Sequence, residues 1–373
     1  MQKTASYSNL KIEDIRIFKF DIPLKDIFQI ATMSISNAQN VLIQIKTNEG
    51  IEGWGEASSL RSIVGETQLI NFAAAKELKQ ILPGKNPLEI SVLVHEMDYF
   101  LPHNTTIKSA FDMALYDIAA KAAGLPLYRY LGGEKRRIET DLTIGIGNPD
   151  EAGDKALAVR SMGFRMIKVK LGINYEDDHR RLKNIRKAVG DEPILRIDAN
   201  QGWDRVTAVK SLNAFKEYMI EFCEQPCRAY DLQGMKFVSD HTPIPVMADE
   251  SLSSIYDALN IIQQDAAPYF NIKFSKSGGL CNARKIAHIA EAGGRPCMIG
   301  CMSETKLGIT AAAHFALSNK IFKFFDLDSF FEHAENPIVG GVSVENGIID
   351  VPEDAGIGAY PDPDYVERLE EVK

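Results

Sequence analysis

The chain has 373 residues, 45% hydrophobic and 25% charged, with a formal net charge of −9. That length exceeds one typical domain and leaves room for a complete barrel beside a smaller unit. The acidic balance argues against nucleic acid and anionic membrane as partners, but leaves small anionic substrates open, because a local site can be positive in an acidic protein. Residues Met1 to Leu10 are polar and lack the apolar centre of a signal peptide. No run of about 18 apolar residues is present to span a bilayer. The cysteines at 223, 227, 281, 297 and 301 are odd in number, and no CxxC or HExxH pattern occurs. The expectation is a reduced, cytoplasmic protein whose cysteines pack.

Residues 12–20 and 41–47 alternate apolar and polar and meet turn residues at Asn48-Glu49-Gly50 and Gly53, which predicts antiparallel strands. Residues 66–82, 87–101 and 106–123 have helical spacing, and Ala110, Met113, Ala114, Asp117 and Ile118 share one face of the last helix. This α+β portion ends near Gly132-Gly133. Beyond it, β-prone runs at 138–145, 165–170, 194–198, 219–224, 244–248, 269–273, 296–300 and 322–327 alternate with helical stretches such as 150–162, 177–189, 205–217 and 281–292. That alternation predicts a parallel β/α barrel. The last run is followed by Gly- and Pro-bearing sequence, so the eighth unit is expected to lack its helix. The division expected is a capping domain over 1–133, a barrel over 134–334, and a tail over 335–373 that returns to the first domain.

Active sites of such barrels sit at the C-terminal ends of the strands. The second run ends in Lys168 and Lys170, the third in Asp198, the fourth in Glu224, the fifth in Asp249, the sixth in Lys273 and the eighth in Asp326 and Asp328. Asp198, Glu224 and Asp249 are spaced one β/α unit apart, so the three carboxylates converge at one height. Their mutual repulsion is relieved by a hard divalent cation, and all-oxygen ligands suit Mg²⁺. The alternative is three separate helix N-caps. Lys168 and Lys170 alternate by two on a strand and so point to the same face. Two adjacent ammonium groups are expected to lower each other's pKa, which lets a lysine act as a base near neutral pH. With Lys273 across the barrel, a bound substrate has a lysine on each face. That arrangement suits removal of a proton next to a carboxylate, where a metal stabilises the charge that develops.

These residues resemble the muconate-lactonizing branch of the enolase superfamily, a relationship between lysine base and Mg²⁺ that is a known example in that superfamily. The motifs are Lys168-Val169-Lys170, Asp198-Ala199-Asn200-Gln201-Gly202, Glu224-Gln225-Pro226, Ala248-Asp249-Glu250-Ser251, and Asn271-Ile272-Lys273 followed by Lys276-Ser277-Gly278-Gly279. Gly53-Trp54-Gly55-Glu56 and Ala114-Leu115-Tyr116-Asp117 extend the match to the first domain. The resemblance implies a (β/α)7β barrel under an α+β capping domain. It implies Mg²⁺ on Asp198, Glu224 and Asp249, Lys170 and Lys273 as acid/base residues, and Lys168 as their electrostatic partner. Asp326-Leu327-Asp328 resembles the dipeptide epimerases, in which paired aspartates receive the free ammonium of a dipeptide.

In that family the first domain covers the site, here expected with a loop over 24–36. Relatives acting on Ala-Glu carry an arginine where this chain has Met33, and Phe28 and Ile30 make the segment apolar. The substrate expected is a dipeptide with a small or hydrophobic second residue, such as Ala-Ala. Thr143 and Met302 are further candidates for the pocket wall. A homo-oligomer is expected by resemblance. The alternatives are an Ala-Glu epimerase, an N-acylamino-acid racemase, an o-succinylbenzoate synthase or a muconate cycloisomerase of the same branch, or a catalytically silent barrel. A metal-dependent hydrolase is disfavoured because no histidine falls at a strand end. Cys297 and Cys301 are read as packing residues, and Ser277-Gly278-Gly279 as a tight turn.

Overall fold

The computed structural model describes residues 7–371; the first six residues of the polar start lie outside them. Ile12–Gln29 pairs antiparallel with Ser34–Thr47, which pairs with Glu52–Ser58. Segment 24–36 is therefore no loop but the end of a long hairpin. Pro23, which has no N–H to give, marks a register break, and the ladder resumes at Phe28↔Ile35 and Gln29↔Ser34. Charged Lys25 and Asp26 in the break hid the alternation from a sequence reading.

Helices Gln68–Ile81, Ile90–Phe100 and Thr105–Ala122 accompany this sheet. Gly53 was expected in a turn, but it lies within strand Glu52–Ser58. A Cβ on Gly53 would stand 2.1 Å from the Ala114 carbonyl oxygen, and one on Gly55 1.9 Å from that of Ala110. Both glycines are thus demanded by the close approach of strand to helix, on the face predicted from Ala110, Ala114 and Ile118.

The barrel strands are Leu142–Ile144, Met166–Lys170, Ile194–Asp198, Ile220–Glu224, Val246–Ala248, Tyr269–Ile272, Cys297–Ile299 and Phe322–Phe325, hydrogen-bonded in that order and all parallel. The sheet's two ends meet through Asp141 N–H to the Phe325 carbonyl at 3.5 Å, Leu327 N–H to Thr140 Oγ1 at 2.9 Å and Thr143 N–H to Asp328 Oδ2 at 2.6 Å. Helices Ala152–Ser161, Tyr175–Val189, Arg205–Phe215, Leu232–His241, Ile255–Gln263, Leu280–Ala292 and Lys306–Leu317 follow the first seven strands. After the eighth comes only the turn Ser329–Phe331, as the Gly/Pro-bearing sequence predicted. The chain is therefore a (β/α)7β barrel with an α+β capping unit. The run predicted at 138–145 is split: Ile138–Glu139 pairs with Ile348–Asp350 outside the barrel. The tail also reaches the first sheet, where Lys19 N–H donates to the Glu370 carbonyl at 3.0 Å. No helix among the described residues is long and apolar enough to cross a membrane.

Inside the barrel, Phe222, Met247 and Met298 form a small separate core with Tyr269 and Phe324. Arg196 stacks on Phe222 and Phe324 and is neutralised by Asp141 at 2.8 Å and Glu221 at 2.7 Å. Two residues further along the strands, by the period of two, the inward positions are Asp198, Glu224, Asp249 and Asp326. The floor is packed around the neutralised Arg196, and the carboxylates of the mouth lie in the layer above it.

Two buried carboxylates of the first unit cap barrel helices. Glu56 accepts from Thr305 N–H at 2.9 Å, Thr305 Oγ1 at 2.8 Å and Gly308 N–H at 3.1 Å, at the start of Lys306–Leu317. Asp112 accepts from the Leu280 and Cys281 N–H groups that open Leu280–Ala292. Burial nonetheless pushes the Asp112 carboxyl up to about 8. A raised acid binds a proton in the fold that the unfolded chain has released, so its stabilisation is full below about pH 4 and is lost as pH rises through about 8. Against Asp112→Asn, the wild type is expected to lose up to about 1.4 kcal/mol per pH unit over that interval. Denaturant unfolding at stepped pH checks this; parallel curves for the two proteins would refute it.

Candidate active site

The helix N-caps after strands three to five are Asp204, Asp231 and Ser254, whose side chains accept the first helical N–H groups. Asp198, Glu224 and Asp249 are thus not caps, and all three are fully buried at the barrel mouth. The positions just after them are strained: Asn200, Gln201 and Gln225 have φ of 41°, 67° and 34°. Gln225 uses this turn to accept from Asp249 N–H at 2.9 Å and Ser251 N–H at 3.1 Å, which fixes the fifth strand's end.

Ammonium groups are threaded between the carboxylates. Lys168 Nζ lies 2.7 Å from Glu224, 2.7 Å from Asp326 and 3.4 Å from Asp198. Lys170 donates to Asp198 at 2.6 Å. Lys273 lies 3.0 Å from Asp249 and 3.8 Å from Glu224. Lys276, to which no role was assigned from sequence, lies 2.5 Å from Asp249. Gly300 leaves the room for this: a Cβ there would fall 3.0 Å from Lys273 Cε.

The electrostatics correct one expectation. Burial alone would lower the pKa of Lys168, as its lysine neighbour was expected to, but Asp326, Glu224 and Asp198 outweigh it and hold Lys168 well above the ordinary value. Lys168 is a fixed ammonium clamp. Lys273 is raised in the same way, by Asp249 and Glu224 against burial. Burial and repulsion from Asp198 push Glu224 up to about 7, and burial with Asp249 pushes Glu250 up to about 8. Asp249 is held well below the carboxylate range, because Lys273 and Lys276 overcome its burial.

At Glu224 and Glu250 the negative charge is not fully offset by the lysines. Glu224 Oε2 and Asp249 Oδ1 are buried and met only by the ammonium groups of Lys168 at 2.7 Å and Lys276 at 2.5 Å, while Glu250 Oε2 and Asn200 Oδ1 are buried and accept no hydrogen bond. An all-oxygen donor set with unused lone pairs and surplus negative charge fits a magnesium ion. Among the described residues the metal-ligand side chains that come within 4.8 Å of one another are instead Cys301, Asp326 and Asp328. Ammonium groups between Asp198, Glu224 and Asp249 hold that trio wider. The Cys301 thiol is kept protonated by burial and by both aspartates, and donates to Asp328 Oδ1 at 3.7 Å.

A cavity opens over this layer. Its walls include Lys168, Lys170, Lys273, Asp326, Asp328, Thr143, Met302, Phe28 and Ile30, all singled out in the sequence. Met33 is not among them. It lies at the hairpin's tip and lines a neighbouring cleft with Arg61, Glu66 and Gln68. The sequence reading missed Leu24, Ile35, Leu60, Ile63 and Glu332. Ile35 was recoverable, since it pairs with Phe28 and shares its face. Cys301, read as packing, lines the cavity as well.

A charged layer at the mouth of a (β/α)7β barrel, beneath a hairpin of an α+β unit, defines an enolase-superfamily protein. Residues 12–132 match the mandelate racemase / muconate lactonizing enzyme N-terminal domain, and residues 151–365 match the enolase C-terminal domain-like family. The chain belongs to the mandelate racemase/muconate lactonizing enzyme family. It is similar to a D-Ala-D/L-Ala epimerase of Cytophaga hutchinsonii, at 40% identity over 97% of this chain and 99% of that one. A structure of the dipeptide epimerase from that organism, complexed with Mg and D-Ala-L-Val, matches with a TM-score of 0.96. The Enterococcus faecalis dipeptide epimerase complexed with Mg and L-Leu-L-Tyr matches at 39% identity and a TM-score of 0.91, over 94% of this chain and 99% of that one. An L-Ala-D/L-Glu epimerase of Clostridium acetobutylicum is 38% identical over 93% of this chain and 98% of its own length.

Proposed function

We propose that the protein is a Mg²⁺-dependent dipeptide epimerase that inverts the α-carbon of the second residue by two-base 1,1-proton transfer, on small or hydrophobic dipeptides such as Ala-Ala. It is an isomerase acting on amino-acid derivatives. The observation that carries the reading is one cavity holding Lys170, Lys273 and the Asp326–Asp328 pair under an apolar hairpin. In this reading residues 134–334 form the catalytic barrel, and 1–133 with the tail 335–373 form its cap.

Asp198, Glu224 and Asp249 would hold the ion, which supplies positive charge against the charge developing on the substrate carboxylate as its α-proton leaves. The residues of the chain do the rest. Lys170 ends strand two and Lys273 directly follows strand six, and in this reading they flank the α-carbon from opposite sides. For one configuration one lysine takes the proton and the other delivers a proton to the opposite face; for the other configuration the roles exchange. Lys168 keeps Asp198, Glu224 and Asp326 in place. Asp328, oriented by Thr143 N–H, and Asp326 receive the dipeptide's ammonium. Phe28, Ile30, Ile35 and Met302 surround the second side chain and exclude water.

One observation favours a second reading. Arg61 lines the cleft beside Met33, next to the cavity, and could pair with a glutamate side chain. Lys25 is less available, since its Nζ donates to the Phe331 carbonyl at 2.9 Å. Comparing kcat/KM separates the two: L-Ala-L-Ala or L-Ala-L-Val is expected to exceed L-Ala-L-Glu by about tenfold or more, for a charged side chain in an apolar pocket. Faster turnover of L-Ala-L-Glu would overturn the specificity and leave the chemistry.

A further inference from the structure

Glu332 belongs to none of the motifs that marked the site, yet it lines the cavity. It follows Asp328 across the turn Ser329–Phe331, where Phe331 N–H bonds back to the Asp328 carbonyl at 2.9 Å. Its backbone is tied to the hairpin: Lys25 N–H donates to the Glu332 carbonyl at 2.8 Å, Leu24 bridges to His333, and Ala334 N–H donates to the Pro23 carbonyl at 2.8 Å. Glu332 therefore stands at the joint of hairpin and barrel mouth, with both sides fixing its position.

The charges that face it are Asp328 and Asp26 of like sign, and Lys25 and Lys155 of opposite sign. Among the described residues no ion pair within 4.0 Å engages it. Burial, with repulsion from Asp328 and Asp26, pushes its carboxyl up to about 7, and burial with Asp326 pushes Asp328 up to about 6. Acceptors left short of a counter-charge along one cavity wall favour a cation there and repel an anion. Asp326 is already engaged by Lys168, and Asp328 by Thr143 N–H, so Glu332 is the carboxylate of the wall without a protein partner among the described residues.

We propose that Glu332 determines specificity for the side chain of the substrate's first residue, selecting neutral and basic residues and excluding acidic ones. The inference rests on the dipeptide-epimerase reading. In that reading the ammonium and the first side chain leave the same carbon, so the first side chain of a dipeptide held at Asp326 and Asp328 lies beside the wall that continues through Ser329 to Glu332.

The test measures kcat and KM for Lys-Ala, Ala-Ala and Glu-Ala with the Mg²⁺-loaded wild type, Glu332→Gln and Glu332→Lys, after melting curves confirm that each is folded. The wild type is expected to prefer Lys-Ala over Glu-Ala by about tenfold or more, through KM rather than kcat. Glu332→Gln should bring the ratio close to one, and Glu332→Lys should invert it. An unchanged ratio in both variants, with the wild type active on Ala-Ala, overturns the role of Glu332 alone. A wild type that epimerises no dipeptide overturns the underlying reading and this inference with it.

Discussion

Replacing Lys273 with alanine is expected to reduce epimerisation on the order of 10³-fold or more, and Lys170→Ala to do the same. The argument lies in their placement. Each lysine serves one face of the α-carbon, and epimerisation needs both. Removing one leaves the opposite lysine able to take the α-proton and, after exchange with solvent, to return a deuteron to the same face. In D₂O each variant should therefore still exchange the α-proton of one configuration of the second residue, and the two variants should differ in which. Lys273 also sits 3.0 Å from Asp249, so its removal leaves that buried carboxylate to Lys276 alone. Exchange retained in one configuration distinguishes a lost base from a collapsed site. Near-normal epimerisation in either variant would refute the two-base assignment.

The second large effect concerns the ion. Stripping divalent metal with a chelator should abolish turnover by about 10³-fold or more, with recovery on adding Mg²⁺. A readout independent of activity comes from stability. A ligand that binds only the folded chain stabilises it by about 2.7 kcal/mol at a hundred times its dissociation constant. Mg²⁺ should therefore raise the melting temperature of the wild type and not that of Glu224→Gln, whose side chain still fills the space and accepts from Asn271 Nδ2, now at 2.7 Å. An equal rise in both would move the ion elsewhere, and the Cys301, Asp326 and Asp328 trio would be the place to look.

Much of the site was legible in the sequence because barrel strands are short and buried. Their inward residues alternate by two, and the first charged residue after each apolar run marks the mouth. Asp198, Glu224, Asp249, Lys168, Lys170 and Lys273 were all visible in that way, and the absent eighth helix in the Gly/Pro content of its segment. What escaped depends on partners distant in the chain. The state of Lys168 is set by Asp326, 158 residues away, so its raised pKa could not be read from Lys170 beside it. Glu332 reaches the cavity only because the hairpin pins its backbone. Met33 missed the cavity because a register break at Pro23 and the turn at Ile30–Met33 set which side of the hairpin it faces, and a loop reading lacks that information. Within the Gly53–Glu56 motif, Gly53 proves to admit helix Thr105–Ala122 against its own sheet, and Glu56 to join the two units of the chain.

The most direct test of the central claim is to incubate the purified protein with Mg²⁺ and a mixed library of L,L-dipeptides in D₂O, and to score each mass for a gain of about one unit, the mass difference of one deuteron at the α-carbon. The account predicts deuterium in dipeptides whose second residue is small or hydrophobic. Exchange confined to acidic or basic second residues would keep the proton transfer and contradict the apolar pocket. No exchange in any dipeptide would contradict the claim itself and leave Asp326 and Asp328 without their ammonium.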